Sequence, residues 1–263
     1  MSDSQDYTRK RAFFSRVLTV YGRKPVLETL RDDSLQVHAL HLADSNRDAA
    51  ILKEIRQLAQ QRNVELRQHS RAELSRISKN GKQDQGVALD ILCPAFNDID
   101  SFLADRREGQ GARLLALDGI TNPQNLGMIV RSALAGTIDG ILLPERGSAS
   151  LGPLVLKASA GTLYRAPIIR CQKLHSALRQ CQEHGAQICA LDANADSSLF
   201  GREEHAFCIY VLGNESEGVS REVRALADTL VSIPMRNQVE SLNVAVTASL
   251  IAYSNALGDY LER

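Results

Sequence analysis

Tryptophan is absent from the 263-residue chain, and aromatic residues of all kinds make up only 5% of it. A core must therefore be built from Leu, Ile, Val and Ala, within a hydrophobic content of 44% that suffices for one large domain or two modest ones. No apolar run is long enough to cross a bilayer, and Met1–Tyr7 is polar and acidic where a secretory leader would be apolar. The expectation is a cytoplasmic protein that meets no membrane. Cysteine is sparse: Cys93, Cys171, Cys181, Cys189 and Cys208 are odd in number and show neither CxxC nor Cys/His metal spacing. That pattern points to reduced, structural thiols and no metal. The histidines are scattered, and His38 and His41, on opposite faces if they share a strand, read as surface or satisfied side chains. Two nucleotide-binding signatures are missing, the GxGxxG fingerprint and the Lys-Ser/Thr that ends a P-loop. A nicotinamide-dependent oxidoreductase thus lacks its fingerprint.

Net charge is zero, but zero hides an asymmetry. Residues 1–92 hold 16 Lys and Arg against 12 Asp and Glu, while residues 93–263 hold 15 against 19. The densest basic stretch is Arg9, Lys10, Arg11, Arg16, Arg23, Lys24 and Arg31, with only Glu28 among them. Such an end attracts a polyanion, although a solvated tail has the same composition.

Hydrophobic periodicity divides the chain. Residues 1–17 read as a polar, basic tail and 18–92 as a small α/β domain. Its helices are expected at Pro25–Arg31, Asp48–Arg62 and Ala72–Ile77, and its strands at Val37–Leu42, Val64–Arg67 and Val87–Leu92. Residues 93–111, with Pro94, two Gly and several Asp, read as a linker. Residues 112–263 alternate. Strands are expected at Arg113–Leu117, Asp139–Leu143, Tyr164–Ile169, Gln187–Leu191, Phe207–Leu212 and Thr229–Ser232. Helices are expected at Asn125–Ala135, Gly152–Ala160, Leu174–His184, Ser220–Ala227 and Leu242–Leu257. That alternation predicts an α/β fold with a mostly parallel sheet covered on both faces. Ligands in such folds bind beyond the carboxyl ends of strands, which directs attention to the turns after Leu117, Leu212 and Ser232.

Each of these turns has a bland reading beside a chemical one. In Asp118–Ala133, Arg131 lies among Leu126, Met128, Ile129, Val130 and Leu134. It is either half of a buried ion pair or an anchor for phosphate, which guanidinium binds bidentately. In Tyr210–Ser220, Gly213 and Gly218 allow close backbone approach, and Glu215 and Glu217 favour a ligand with positive charge. An ordinary strand-to-helix turn is the alternative. In Ser232–Val246, Ser241 stands where a helix N-cap would be, and Asn243 falls in the first turn, where Asn is less expected.

In this order the three segments resemble the three motifs of the SpoU (TrmH) family of RNA 2′-O-methyltransferases. The resemblance rests on Asn122-Pro-Gln-Asn125-Leu-Gly127 with Arg131, on Leu212-Gly213-Asn-Glu215 with Gly218, and on Ile233-Pro-Met with Ser241-Leu-Asn243. Lys157-Ala-Ser-Ala-Gly161 resembles the family's segment between its first two motifs, and the match spans about residues 112–258. Tyr21-Gly-Arg-Lys-Pro-Val-Leu through Gln85-Gly-Val-Ala-Leu89 is similar to the family's accessory substrate-binding domain. The resemblance implies a C-terminal trefoil-knotted domain that binds S-adenosylmethionine against Leu212, Gly213, Gly218, Ile233, Met235 and Leu242. It implies Arg131, Asn125, Glu215, Ser241 and Asn243 as catalytic residues. Arg23, Lys24 and Arg131 are the residues expected to bind RNA. It further implies a homodimer acting on a ribose 2′-hydroxyl, with 23S ribosomal RNA placed ahead of transfer RNA as substrate. A non-catalytic RNA- or ribosome-binding factor on the same fold is the alternative. Two positions depart from the family pattern: Ser216 replaces a frequent Gly, and Asp84 replaces a His that often precedes Gln-Gly-Val.

Overall fold

The computed structural model describes residues 13–107 and 109–255. It divides into two compact units at Pro94/Ala95, with Leu151–Pro153 grouped with the first. Arg9, Lys10 and Arg11 of the basic stretch lie outside the described residues, as does the end of the expected last helix.

The smaller unit is a four-stranded sheet of β1 (Val17–Tyr21), β2 (Gln36–Ala43), β3 (Glu65–His69) and β4 (Val87–Leu92), in the order β1-β4-β2-β3. β4 pairs antiparallel with β1 and β2, and β3 runs parallel to β2. Its helices are α1 (Arg23–Arg31), α2 (Ala50–Gln61) and α3 (Arg71–Ser78). α1 buries Val26, Leu27 and Leu30, and α2 buries Leu52, Ile55 and Ala59, each a single apolar stripe at helical spacing. α3 starts at a reciprocal capping box between Ser70 and Glu73.

A chain of polar side chains crosses this sheet, one from each strand. Thr19 Oγ1 donates to Asp90 at 2.6 Å, His41 Nε2 meets the same carboxylate at 3.1 Å, and His41 Nδ1 faces His69 Nε2 at 2.9 Å. His41 is therefore a buried, satisfied histidine. Burial opposes the charge on Asp90, yet the hydrogen bonds from His41 and Thr19 outweigh it and hold the carboxyl below its usual range.

The larger unit is an eight-stranded sheet in which every pairing is parallel. Its strands are β5 (Asn97–Asp98), β6 (Ala112–Leu117), β7 (Gly140–Pro144), β8 (Ile168–Cys171), β9 (Gln187–Leu191), β10 (Ser197–Ser198), β11 (Phe207–Leu212) and β12 (Thr229–Ser232). They are ordered β10-β12-β9-β11-β6-β7-β8-β5. β6 and β11 are buried along their whole length, as expected of central strands covered on both faces. One face packs against α4 (Ile99–Ala104), α7 (Leu174–Glu183) and α8 (Arg221–Arg224), through Leu103, Leu178 and Val223 on Leu114, Ile188 and Ile209. α5 (Pro123–Ala135) packs against α9 (Val244–Tyr253), which also meets β11. α6 (Pro153–Ala158) approaches α5 so closely at Gly127 that an added Cβ would lie 2.5 Å from Ala158 Cβ. Among the described residues, no helix is long and apolar enough to cross a membrane.

Several expectations need correction. Residues 93–111 are not a plain linker: β5 adds to the sheet edge beside β8, and α4 packs on its face. Asp98 caps α4 by accepting from Ser101 N at 2.9 Å, so the Asp-rich composition marked a helix start. β1 begins at Val17, inside the expected tail. The expected strand Tyr164–Ile169 resolves into a 3-10 turn, Thr162–Arg165, followed by β8, because Pro167 separates the two.

Candidate active site

The sheet order brings four turns together. β12, β9, β11 and β6 are consecutive neighbours running in one direction, so their carboxyl ends share one edge.

At the end of β6, Asn122 caps α5, its side chain accepting from Gln124 N at 2.9 Å, and Pro123 occupies the first helical position. The helix thus starts before Asn125, which is a buried residue within its first turn. Its amide donates to the Glu215 carboxylate. Asn214 Nδ2 donates to Gly119 O at 2.9 Å and Ser220 N to Asp118 Oδ2 at 2.7 Å, which ties the first turn to the second.

The second turn is closed by two backbone bonds between Asn214 and Gly218, 3.0 and 2.8 Å long. At Gly213 a Cβ would lie 2.0 Å from Gly218 C and 2.1 Å from Val219 N. These are backbone atoms that cannot swing aside, so only glycine fits. Gly218 has φ +70°, the left-handed region that glycine favours. Ser216 sits exposed at the tip, its N–H bonded to Asn214 Oδ1 at 2.9 Å. Its φ is not positive and it does not line the cavity described below, so serine is accommodated there without strain.

The third turn ends at α9, and here Asn243 rather than Ser241 is the N-cap, accepting from Ala245 N at 2.9 Å. The residue that looked misplaced inside a helix lies at its boundary. Asn243 Nδ2 also lies 3.2 Å from Asn125 Oδ1 and 3.2 Å from Glu215 Oε1. One residue from each turn, Asn125, Glu215 and Asn243, thereby forms a single hydrogen-bonded cluster.

Beside that cluster lies a cavity of about 380 Å³. Leu212, Gly213, Gly218, Ile233, Met235 and Leu242 all line it, together with Glu215 and Ser241. So do three groups that the sequence reading missed: Asp192, Asn194 and Arg224. They stand at the carboxyl end of β9 and on α8, and the rule that drew attention to the other three turns applies equally after Leu191. The Asn194 backbone N–H and the Arg224 guanidinium hold the Asp192 carboxyl below its usual range. Asp192, Glu215 and Glu217 against Arg224 leave the lining acidic on balance. Among the described residues, no group of three or more His, Cys, Asp or Glu is placed to hold a metal ion.

Arg131 lies on the exposed face of α5 and forms no ion pair with a described residue. The buried-pair reading is therefore wrong for this arginine. In the smaller unit, Arg23 is tied to Gln85 through its backbone N–H at 3.1 Å and its Nε at 3.3 Å, while Lys24 is exposed. Asp84 is buried, paired with Arg71 and accepting from Ser78 Oγ at 2.8 Å and Gly86 N at 2.9 Å. The departure at that position is an internal brace of the loop before β4.

These features define an all-parallel α/β domain with a polar cluster and an acidic cavity at one sheet edge, in a chain that also carries a smaller mixed-sheet α/β unit. The chain belongs to the SpoU rRNA methylase family: the family model matches residues 112–253, and the model for RNA 2′-O ribose methyltransferase substrate binding matches residues 19–92. An uncharacterized tRNA/rRNA methyltransferase of Mycolicibacterium vanbaalenii is 37% identical over 233 residues, covering 88% of this chain and 74% of that protein. A putative RNA methyltransferase of the TrmH family from Porphyromonas gingivalis has a solved structure with a TM-score of 0.58 at 26% identity, covering 91% of this chain and 89% of that one. The fold is also that of the SpoU methyltransferase AviRb from Streptomyces viridochromogenes, crystallised with the cofactor AdoMet. There the TM-score is 0.61 at 22% identity, with 95% and 92% coverage.

Proposed function

We propose that the chain transfers a methyl group from S-adenosylmethionine to a ribose 2′-hydroxyl of RNA, with 23S ribosomal RNA as the substrate. The observation that carries the reading is the Asn125–Glu215–Asn243 cluster, which joins all three motif turns beside an acidic cavity. A cofactor with a sulfonium and an α-ammonium suits that lining. Leu212, Ile233, Met235 and Leu242 would hold its apolar surface, Gly213 and Gly218 would let the backbone approach it, and it would supply an electrophilic methyl group.

The remaining work falls to side chains. Arg131, exposed and without an ion-pair partner among the described residues, would bind the phosphate beside the target ribose and offset charge developing on its 2′-oxygen. Arginine hardly ever gives up its proton, so this role is preferred to that of a base. Asn125 and Asn243 would fix the Glu215 carboxylate, and Glu215 and Ser241 would orient the ribose. Alignment of this kind contributes about 7–11 kcal/mol to such a displacement. The smaller unit, with Arg23 and Lys24, would choose the RNA. Since duplex RNA offers little to read, recognition would favour unpaired, splayed bases.

Two further expectations belong to this proposal. Between β12 and α9, Ile233, Met235, Ser241 and Leu242 line the cavity, and this stretch would be the one that threads a trefoil knot. Met128 on α5 and Val246 and Tyr253 on α9 are exposed apolar residues on two helices packed together, and a second copy of the chain would cover them in a homodimer.

The test is transfer of labelled methyl to total RNA from a strain lacking this gene, followed by size separation and nucleoside analysis. Label in a 2′-O-methyl nucleoside of the large ribosomal RNA supports the proposal. Label in small RNA moves the substrate to transfer RNA, and RNA binding without any label overturns the enzymatic reading.

A further inference from the structure

Cys189 on β9 and Cys208 on β11 occupy neighbouring strands, and their sulfurs are 3.5 Å apart. Arg202 reaches over from the stretch between β10 and β11, with Nη1 3.0 Å from Cys189 Sγ and Nη2 3.1 Å from Gln187 Oε1. Gln187 Oε1 is itself 3.7 Å from the Cys189 sulfur. Neither the cavity nor the polar cluster includes these groups, and the mechanism uses none of them.

We propose that Cys189 and Cys208 form a peroxide-reactive dithiol, in which Cys189, activated by Arg202, is the attacking sulfur and Cys208 resolves the product to an intramolecular disulfide. A guanidinium beside a sulfur favours the thiolate, the form that reacts. The Cys189 thiol is lowered to about 7, first by the hydrogen bond from Cys208 and then by Arg202, against the cost of burial. Cys208 is driven upward by the same bond and by burial, so it stays protonated as the donor. Glu204, the nearby acidic group that opposes the thiolate, is engaged by Arg113 and Asn255. Arg106 acts on Cys181 with no hydrogen bond to the sulfur, and there as at Cys171 burial prevails and pushes the thiol up to about 12. Both reactive sulfurs are buried, but Arg202 is partly exposed and residues 202–205 form no regular secondary structure. Hydrogen peroxide would enter beside that side chain.

The chemistry balances with hydrogen peroxide as the oxidant. The Cys189 thiolate attacks one peroxide oxygen: the S–O bond forms, the O–O bond breaks and hydroxide leaves. Cys208 sulfur then attacks the Cys189 sulfenic acid, the S–S bond forms and the S–O bond breaks. The departing oxygen leaves as water with the Cys208 proton. The hydroxide takes up the proton that the Cys189 thiol released on ionising, so two thiols and one peroxide yield one disulfide and two waters.

The experiment is brief exposure of the full chain to hydrogen peroxide, alkylation of the remaining thiols and peptide mass mapping. The expected product is a Cys189–Cys208 linked peptide two hydrogens lighter than the pair, reversed by dithiothreitol, while Cys93, Cys171 and Cys181 remain alkylated. In Cys208→Ser the disulfide is lost and Cys189 is trapped as a sulfenic acid by a 1,3-diketone. Arg202→Gln slows oxidation of Cys189 about tenfold, as loss of an adjacent cation should. Equal oxidation of all five cysteines in the unsubstituted protein overturns the proposal without any variant, and so does a Cys189 rate unchanged in Arg202→Gln. These readouts need no methyl transfer, so they fail or succeed apart from the proposed function.

Discussion

Replacing Gly213 by Ala tests whether the second turn is a rigid wall of the proposed cofactor site. The added Cβ would lie 2.0 Å from Gly218 C, 2.1 Å from Val219 N and 2.3 Å from Gly218 O. All three are backbone atoms, so relief requires the 214–218 turn to open. Opening breaks the two Asn214–Gly218 bonds, each worth about 1 kcal/mol net. Forced overpacking adds roughly 1–3 kcal/mol when the chain resists. If only the turn yields, about 2 kcal/mol separates the open from the closed form. At 1.4 kcal/mol per factor of ten, that lowers cofactor affinity roughly 30-fold. Calorimetric titration with S-adenosylmethionine reads the affinity, and thermal unfolding reads the stability. The expected pattern is a large loss of affinity with a smaller loss of stability, because the turn lies at the sheet edge while β11 itself stays buried. Binding within twofold of the unsubstituted protein would show that the turn is pliable, and the reasoning would fail.

Three further outcomes follow from the geometry. Asn243→Ser keeps an oxygen to cap α9 but removes the amide that meets Glu215 and Asn125. Stability should therefore stay within about 0.5 kcal/mol while methyl transfer falls at least tenfold, whereas a parallel loss of both would reduce Asn243 to a cap. Arg131→Lys, at an exposed residue without an ion pair among the described residues, should leave the melting temperature unchanged and cut turnover at least tenfold; near-normal turnover would refute the bidentate anchor. His69 has its pKa lowered from 6.5, by burial first and by His41 next, so the fold favours its neutral form. The unfolded chain then binds the proton more readily, and stability present above pH 6.5 is lost as pH falls from there through the lower value that His69 has in the fold. Thermal unfolding at pH 7.5 and pH 5 should show this loss, and His69→Gln should shrink it.

The candidate site was legible in the sequence where local chemistry and spacing coincide. Gly213 and Gly218 were marked by their permissive backbone, and the six apolar and glycine residues expected at the cofactor do line one cavity. Ser241 and the helix start expected at Asn125 show the limit of local reasoning. Helix caps are decided by where the chain turns, and the turn residues Asn122 and Asn243 took those positions. Arg131 was weighed as a buried ion pair because its neighbours are apolar, but Leu126, Ile129 and Val130 are the ones that turn inward, while the arginine is exposed.

By itself the sequence determined the two-part α/β organisation, the periodicity of most elements and the three motif turns, because these depend on side-chain spacing along a few residues. Only the tertiary structure decided the strand order β12-β9-β11-β6, and that order makes a site of turns up to 118 residues apart. It also enlisted Asp192 and Arg224, drew Asn97 and Asp98 into the sheet, and set Cys189 against Cys208. Pairing between distant strands is set by how all the apolar faces can be covered at once, a condition that no short stretch of sequence contains.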